Sequence, residues 1–474
     1  MNKLLKQALH QGLQLNERFA ASAVNGFDWI FRRGELVKSG LTWFDYAYVG
    51  ELMKVRHYDL RTDGRIEFSD GSSMPIQQET HLIPLLLVPP LGVIADTFDL
   101  MPDRSLVRYM AARGFKVYMI DWGTPTRAHA RLRLQDYADR MMNQAINEVL
   151  KHSGAKQVSL MGWCMGGLLC LMQAGLKQDA RIANIVTVAS PIDTRSGSGV
   201  IAGMGRAINT PAKMLRKVTD FRLLNVDPQV MHIPGWLTTL MFKMTDPVGS
   251  VTTYWDLLMG LWDRQFVEAH STTADYLNNM LAYPAGVAQE MLVRVTVDNK
   301  LAKGEIRLGN KVSRFANIQA PLYVLAGKSD VLVSPSTARA VVDLVSSTDK
   351  RFEVAPGGHM GVILGSKARE NVWKNSADWL VERSSKEVVF TAAKAPRKPR
   401  ATSASKVKVP AVKAAAMPKA AALPKPSAAK VIRQPAAKPG AKKSDSKPLA
   451  KPSAQKPAAK PKAASSRKKA VSPA

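Results

Sequence analysis

The sequence predicts an α/β protein: a mostly parallel sheet wound with helices on both faces, a helical insertion capping it, and a disordered C-terminal tail. Three observations carry this reading. Short apolar runs alternate with helix-length stretches through residues 82–191 and again through 316–385, the rhythm of a parallel sheet with crossover helices. Between these blocks, over 192–315, no clear buried strand occurs, and helical stretches rich in Met, Leu and Trp take its place. Beyond Phe390 there is no aromatic residue, and Ala, Lys and Pro dominate in near-repeats such as KPAAKP. Such a composition cannot bury enough surface to offset its conformational entropy.

The elements follow in order. Residues 1–45 read as amphipathic helix, with Leu4, Leu5, Ala8, Leu13, Phe19, Phe27, Trp29, Ile30 and Phe31 set among basic residues; a helix packed on the body is the expectation, and a lipid- or granule-facing surface the alternative. Alternation over 54–60 and 65–68 predicts two early antiparallel strands. The run LIPLLLV at 82–88 is the first strand buried on both faces. A helix over 103–114 opens on Asp103 as N-cap and closes at Gly114. KVYMIDW at 116–122 is a strand, 134–152 a helix, and Val158–Trp163 the next strand, with its helix from Gly166 to about Gly175. NIVTVA at 184–189 is the fourth. After the insertion the alternation resumes with a strand at 321–326, a helix at 335–345, a strand at 351–355 and a helix at 367–382. The division expected is a helical segment at 1–45, a core in two parts at 46–191 and 316–385, a cap at 192–315, and a tail at 386–474.

The 474 residues carry a net charge of +29. The stretch 391–474 holds 22 Lys plus Arg against one acid, Asp445, so +21 belongs to the tail and +8 to the other 390 residues. The charge asymmetry is therefore a tail property. Spaced cations on a disordered chain suit non-specific DNA or polyanion binding by counterion release; simple solubilisation is the plainer reading. Two cysteines, Cys164 and Cys170, make no disulfide framework and fit a reducing compartment. The N-terminus has no signal-peptide run, and the longest apolar stretch, 82–95, is broken by Pro84, Pro89 and Pro90 and is too short to span a bilayer. A cytoplasmic protein is the expectation.

The chemistry centres on QVSLMGWCMGGLLCL at 157–171. The spacing G-x-C-x-G from Gly162 to Gly166 is a nucleophile elbow with cysteine in the serine position. A nucleophile at a strand–turn–helix tip needs small residues two before and two after it, because strand and helix backbones pass close there. The amides opening the new helix favour the reactive thiolate. In this arrangement the acid and then the base follow along the chain. Of eight histidines, His359 lies in A-P-G-G-H-M-G directly after a strand. His10, His57, His81, His129, His152, His232 and His270 have no comparable loop and suit surface or structural roles. Asp330, in G-K-S-D-V-L-V-S-P, sits at the loop end of the preceding strand, the edge where parallel sheets place their chemistry. Asp343 and Asp349 are weaker acids. Backbone N–H groups of Met165 and of the loop near Gly92 would form the oxyanion hole. No cofactor or metal is called for.

The segments V-P-P-L-G, M-I-D-W-G-T-P, G-W-C-M-G-G, Asn299 to Gly304, G-K-S-D-V-L-V-S-P and P-G-G-H-M-G-V together resemble the polyhydroxyalkanoate synthases, over about residues 46–383. The short stretch before the first long strand resembles the class III catalytic subunits. Gly92 and Val93 replace the bulkier residues usual after the paired prolines, and the basic tail is outside the family's common core; it is similar to the tails of linker histones and of some phasins. The resemblance implies an α/β-hydrolase core with a cap, and polymerisation of 3-hydroxyacyl-CoA thioesters, 3-hydroxybutyryl-CoA first among them, with release of CoA. Cys164 takes the nucleophile's place, His359 the base's and Asp330 the acid's. It also implies a growing polyester chain and granule surface as partners, a homodimer, and a second synthase subunit or a phasin. A polyester depolymerase or thioesterase would use the same triad with an open cap; a granule–nucleoid tether would make the tail the function.

Overall fold

A computed structural model describes residues 3–61, 63–219, 222–231, 233–243 and 247–384; the tail and the expectations placed on it lie outside the described residues. The strands are β1 (Asp45–Val49), β2 (Lys54–Tyr58), β3 (Arg65–Glu67), β4 (Ser73–Pro75), β5 (Leu85–Val88), β6 (Val117–Asp121), β7 (Val158–Trp163), β8 (Ile182–Val188), β9 (Glu305–Leu308), β10 (Lys311–Arg314), β11 (Leu322–Gly327) and β12 (Lys350–Ala355). The helices are α1 (Lys3–Phe31), α2 (Arg33–Leu36), α3 (Leu106–Ala112), α4 (Met142–Ser153), α5 (Met165–Ala174), α6 (Val200–Val218), α7 (Gly235–Lys243), α8 (Pro247–Met259), α9 (Arg264–Asn278), α10 (Ala285–Glu290), α11 (Pro335–Arg339), α12 (Gly361–Leu364) and α13 (Lys374–Ser384).

Eight strands form one sheet in the order β1-β2-β6-β5-β7-β8-β11-β12. From β6 to β12 all neighbours are parallel, and β2 joins β6 antiparallel. The central β7, β8 and β11 bury every residue, which is why they read as continuous apolar runs rather than alternations. One face of the sheet is covered by α4, α5 and α11, through Ile146, Leu168, Leu169 and Ala338. The other is covered by α3, α12 and α13, through Leu106, Met110, Ile363, Trp379 and Leu380.

The stretch 192–315 does two jobs. Helices α6 to α9 form a helical layer, and the end of α9 and the segment after it bring Tyr276 and Met280 into the core with Trp163. From α10 onward the chain returns to the sheet: Val287, Val295, Leu301, Ile306, Leu308 and Phe315 share a buried cluster with Leu160 and Leu168. This part also holds the β9–β10 hairpin, which the sequence reading lacks.

The early region differs from expectation. The stretches read at 54–60 and 65–68 do not pair with each other: β2 pairs with β1 and β6, and β3 pairs with β4 in a separate hairpin. β1 and β4 escaped notice because neither shows a clean polar–apolar alternation. The helix read over 103–114 begins later, at α3, and its N-cap is Ser105, which accepts from Arg108 N–H. Asp103 instead accepts from Ser69 N–H at 2.8 Å. Asp99, buried, organises this corner by accepting from Thr42 N–H, Thr42 Oγ1 and Ser105 Oγ.

Over residues 13–31, helix α1 is anchored to the body through its later turns. Asn25 Nδ2 donates to the Leu261 carbonyl at 2.7 Å, Asp28 pairs with Arg264 at 2.6 Å, and Leu36 of α2 packs with Leu257 and Val267. Away from those contacts Phe19, Phe27, Ile30 and Phe31 are exposed, Phe19 by 79%. Among the described residues no helix is long and apolar enough to cross a membrane.

Candidate active site

Strand β7 ends at Trp163, and Cys164 turns the chain directly into α5. Cys164 has φ 52° and ψ −118°, a region L-residues rarely occupy, so the surroundings must hold it there. They do so through Cys164 N–H to the Val188 carbonyl at 2.8 Å, and through its own carbonyl, which accepts from Ser190 Oγ at 2.9 Å and Leu168 N–H at 3.2 Å. The glycine spacing has a direct steric cause. A methyl on Gly166 would fall onto the Val88 carbonyl oxygen, one on Gly162 onto the Gly167 nitrogen, and one on Gly167 onto Ser190 Oγ. Only backbone fits between β5, β7 and the first turn of α5.

Asp330 follows β11 and His359 follows β12, on two loops tied by Lys328 N–H to the Ala355 carbonyl at 2.8 Å and Ser329 N–H to the Gly357 carbonyl at 3.1 Å. Asp330 Oδ1 accepts from Leu332 and Val333 N–H, both at 2.8 Å, and Oδ2 accepts from His359 Nδ1 at 2.8 Å. The acid and the ring are both buried. With a proton held at Nδ1 by a fixed carboxylate, Nε2 is left as the working nitrogen. Trp163 stacks near the ring at 5.6 Å and donates its Nε1–H to the His359 carbonyl at 3.2 Å. Burial works against the charged imidazole. The negative charge of Cys164, with hydrogen bonds to Asp330 and Cys164, outweighs burial and raises the pKa of His359 to about 10. The structure thus joins His359 to Asp330 by a hydrogen bond and sets Cys164 close enough to act on the ring's charge. Asp343 pairs with Arg339 and Asp349 with Arg383, away from this group.

Met165 is the first residue of α5, so its N–H is free of an intrahelical partner. The segment after β5 lies against this helix start: a Cβ on Gly166 would come within 2.9 Å of the Pro89 carbonyl oxygen. That carbonyl accepts from Trp122 Nε1 at 2.9 Å. Gly92 has φ +84°, and a side chain there would meet Tyr283 at 3.0 Å and Thr238 at 3.4 Å. Its carbonyl accepts from Leu281 N–H at 2.8 Å. Gly92 is therefore where the loop after β5 and the helical layer touch.

Tyr276 and Tyr283 are residues the sequence reading missed. Burial raises both phenol pKa values; the Cys164 charge adds to this, against a Thr97 hydrogen bond at Tyr276. Both stay neutral and able to donate. They stand more than a hundred residues from the elbow, and no spacing rule links them to it. Asn299 has a positional role as well: its Oδ1 accepts from Thr194 N–H and Oγ1, both at 3.0 Å, and its Nδ2 donates to Asp193 at 2.7 Å. This fixes the loop after β8.

The family model described as alpha/beta hydrolase fold matches residues 94–366. The chain is 28% identical over 349 residues to a poly(3-hydroxyalkanoate) polymerase subunit PhaC of Haloferax mediterranei, covering 73% of this chain and 65% of that one. It is 25% identical over 311 residues to the polymerase subunit of the same name from Allochromatium vinosum, covering 64% and 82%. The chain therefore spans just under two thirds of the length of the first relative and more of the second. Among solved structures it is similar to a monoacylglycerol lipase of Paleococcus ferrophilus, at 17% identity and a TM-score of 0.38, covering 65% of this chain and 96% of that one.

Proposed function

This chain belongs to the alpha/beta hydrolase fold family, and on that premise we propose that it is a polyhydroxyalkanoate synthase, polymerising 3-hydroxyacyl-CoA thioesters through a Cys164–His359–Asp330 triad. The observation that carries the reading is a cysteine in the elbow, at φ 52°, facing a buried His359 backed by Asp330. The polymerase relatives support the substrate class.

The residues suit the steps. The Cys164 thiolate attacks the thioester carbonyl, and the resulting oxyanion is received by the Met165 N–H and the Gly92 segment. The C–S bond to CoA breaks, and the His359 imidazolium gives its proton to the departing thiolate. Acyl-Cys164 remains. A 3-hydroxyl group then attacks that acyl carbon, His359 takes its proton, and the ester bond forms as the Cys164 thiolate leaves. Thioester exchanges for thioester in the first half, so the enzyme loads without a large energy step. Asp330 holds the Nδ1 proton and stabilises the imidazolium throughout. Polymerisation requires water to be excluded, a role that falls to the layer of α6 to α9. The same reading places the protein in the cytoplasm at the granule surface, as a homodimer, with a second synthase subunit or phasin as companion.

Incubation of purified protein with 3-hydroxybutyryl-CoA tests this. CoA release with insoluble polyester is the expected result. CoA release with free hydroxy acid would make the protein a thioesterase or depolymerase, and no CoA release would remove the enzyme reading for this substrate.

A further inference from the structure

We infer that Asp45, His57 and His152 form a site for a divalent transition-metal ion of the zinc class, separate from the Cys164 centre. Asp45 on β1 and His57 on β2 are partners across the antiparallel hairpin. His57 is in turn opposite Tyr118 on β6, and His152 comes from the last turn of α4. One donor atom from each of Asp45, His57 and His152 lies within 4.8 Å of the others.

The spacing suits an ion. Metal–ligand bonds of about 2.0–2.1 Å in a tetrahedron put neighbouring donors about 3.4 Å apart. Asp45 Oδ1 and His57 Nδ1 are 2.9 Å apart, and the two imidazole centroids are 4.8 Å apart, near the roughly 5 Å that two rings on one tetrahedral ion adopt. His152 is exposed, so its side chain closes the remaining gap without disturbing the core. Tyr118 Oη lies 2.8 Å from His152 Nδ1, which leaves Nε2 as the ligating nitrogen and supplies the hydrogen-bonded orienter that metal-bound histidines ordinarily have. A cleft of about 150 Å³ reaches His57, Tyr118 and His152, with Asp45 outside its lining, and gives access to the two imidazoles. Two imidazoles and a carboxylate are a donor set for zinc-class ions rather than for magnesium or calcium.

The ion would replace the proton between Asp45 and His57 and release it to solvent. It would pin the β1–β2 hairpin to α4. β2 is three strands from β7 in the sheet, so the predicted effect is on stability and not on a reaction step.

The test uses the full chain with Cys164 alkylated, so that the thiol does not ligate. Calorimetric titration with Zn²⁺ should show one equivalent bound with proton release, Co²⁺ should give the visible absorption of a low-symmetry site, and Zn²⁺ should raise the melting temperature. His152→Gln, at an exposed helix end, should keep the circular dichroism spectrum, weaken binding at least about tenfold and remove the melting shift; His57→Gln should do the same. No saturable binding by the parent chain overturns the site. So does an affinity unchanged in folded His152→Gln, which would assign the ion to other ligands.

Discussion

Cys164 and Cys170 are six residues apart and chemically unlike. Cys164 is partly accessible at the elbow, whereas Cys170 is fully buried in α5, where burial pushes its thiol pKa far up. Cys164→Ala is expected to lower CoA release by about four orders of magnitude or more, and Cys170→Ala to leave most of it; a continuous thiol assay reads both. The three residues proposed as the triad could be picked from the sequence because each follows a strand, with a glycine within three positions of it. Tyr276, Tyr283 and the ligand set at His57 were not legible, since they are brought together by pairing and packing between distant segments. His359 also carries a pH signature. Its native pKa is raised from 6.5 to about 10, so below about pH 6.5 both native and unfolded chains hold the proton and the stabilisation is complete. Above that the unfolded chain releases its proton first, and the contribution shrinks until it is gone beyond about pH 10. Thermal melts between about pH 7 and pH 10 should therefore show a larger loss in the parent chain than in His359→Gln; equal losses would refute the raised value.

At the scale of elements, the strands that run through the sheet centre were readable from composition, because burial on both faces leaves only apolar residues. Edge strands were harder. β1 shows an intermediate–exposed burial pattern with no fully buried residue, so its sequence carries little pressure toward alternation. Helix starts were blurred by local competition: a 3₁₀ turn at Pro102–Arg104 precedes α3, and wide π-turns at Asp136–Met141 and Arg369–Trp373 precede α4 and α13. The tightest local constraint is at the junction of β5, β7 and α5. Gly166→Ala puts a methyl group into the Val88 carbonyl, and backbone cannot rotate away as a side chain would. The expected cost is about 3 kcal/mol, read as a lowered urea midpoint with an unchanged slope. Gly203→Ala, on a helix with open space at that point, serves as the control.

For the whole molecule, the sequence separates a folded body from a basic tail, and the proposed chemistry lies entirely in the body. Truncation near Phe390 is expected to leave specific activity within a few-fold while removing salt-sensitive retention on DNA. Retention by the full chain should fall linearly on a log–log salt plot. Equal retention by both chains would reduce the tail to a solubilising segment, and loss of most activity would join it to the catalytic assembly. Helix α1 has another consequence at this scale. Its side chains Asn25 and Asp28 are engaged with the body, while Phe19, Phe27, Ile30 and Phe31 face water. Together with exposed Trp236, Trp255 and Met259 on α7 and α8, this ridge makes the body an amphiphile in the colloid chemist's sense. Such a surface should crowd onto droplet and bubble interfaces, so the rate measured is expected to track the area of interface in the vessel as well as the number of molecules dispensed; a rate indifferent to that area would refute this.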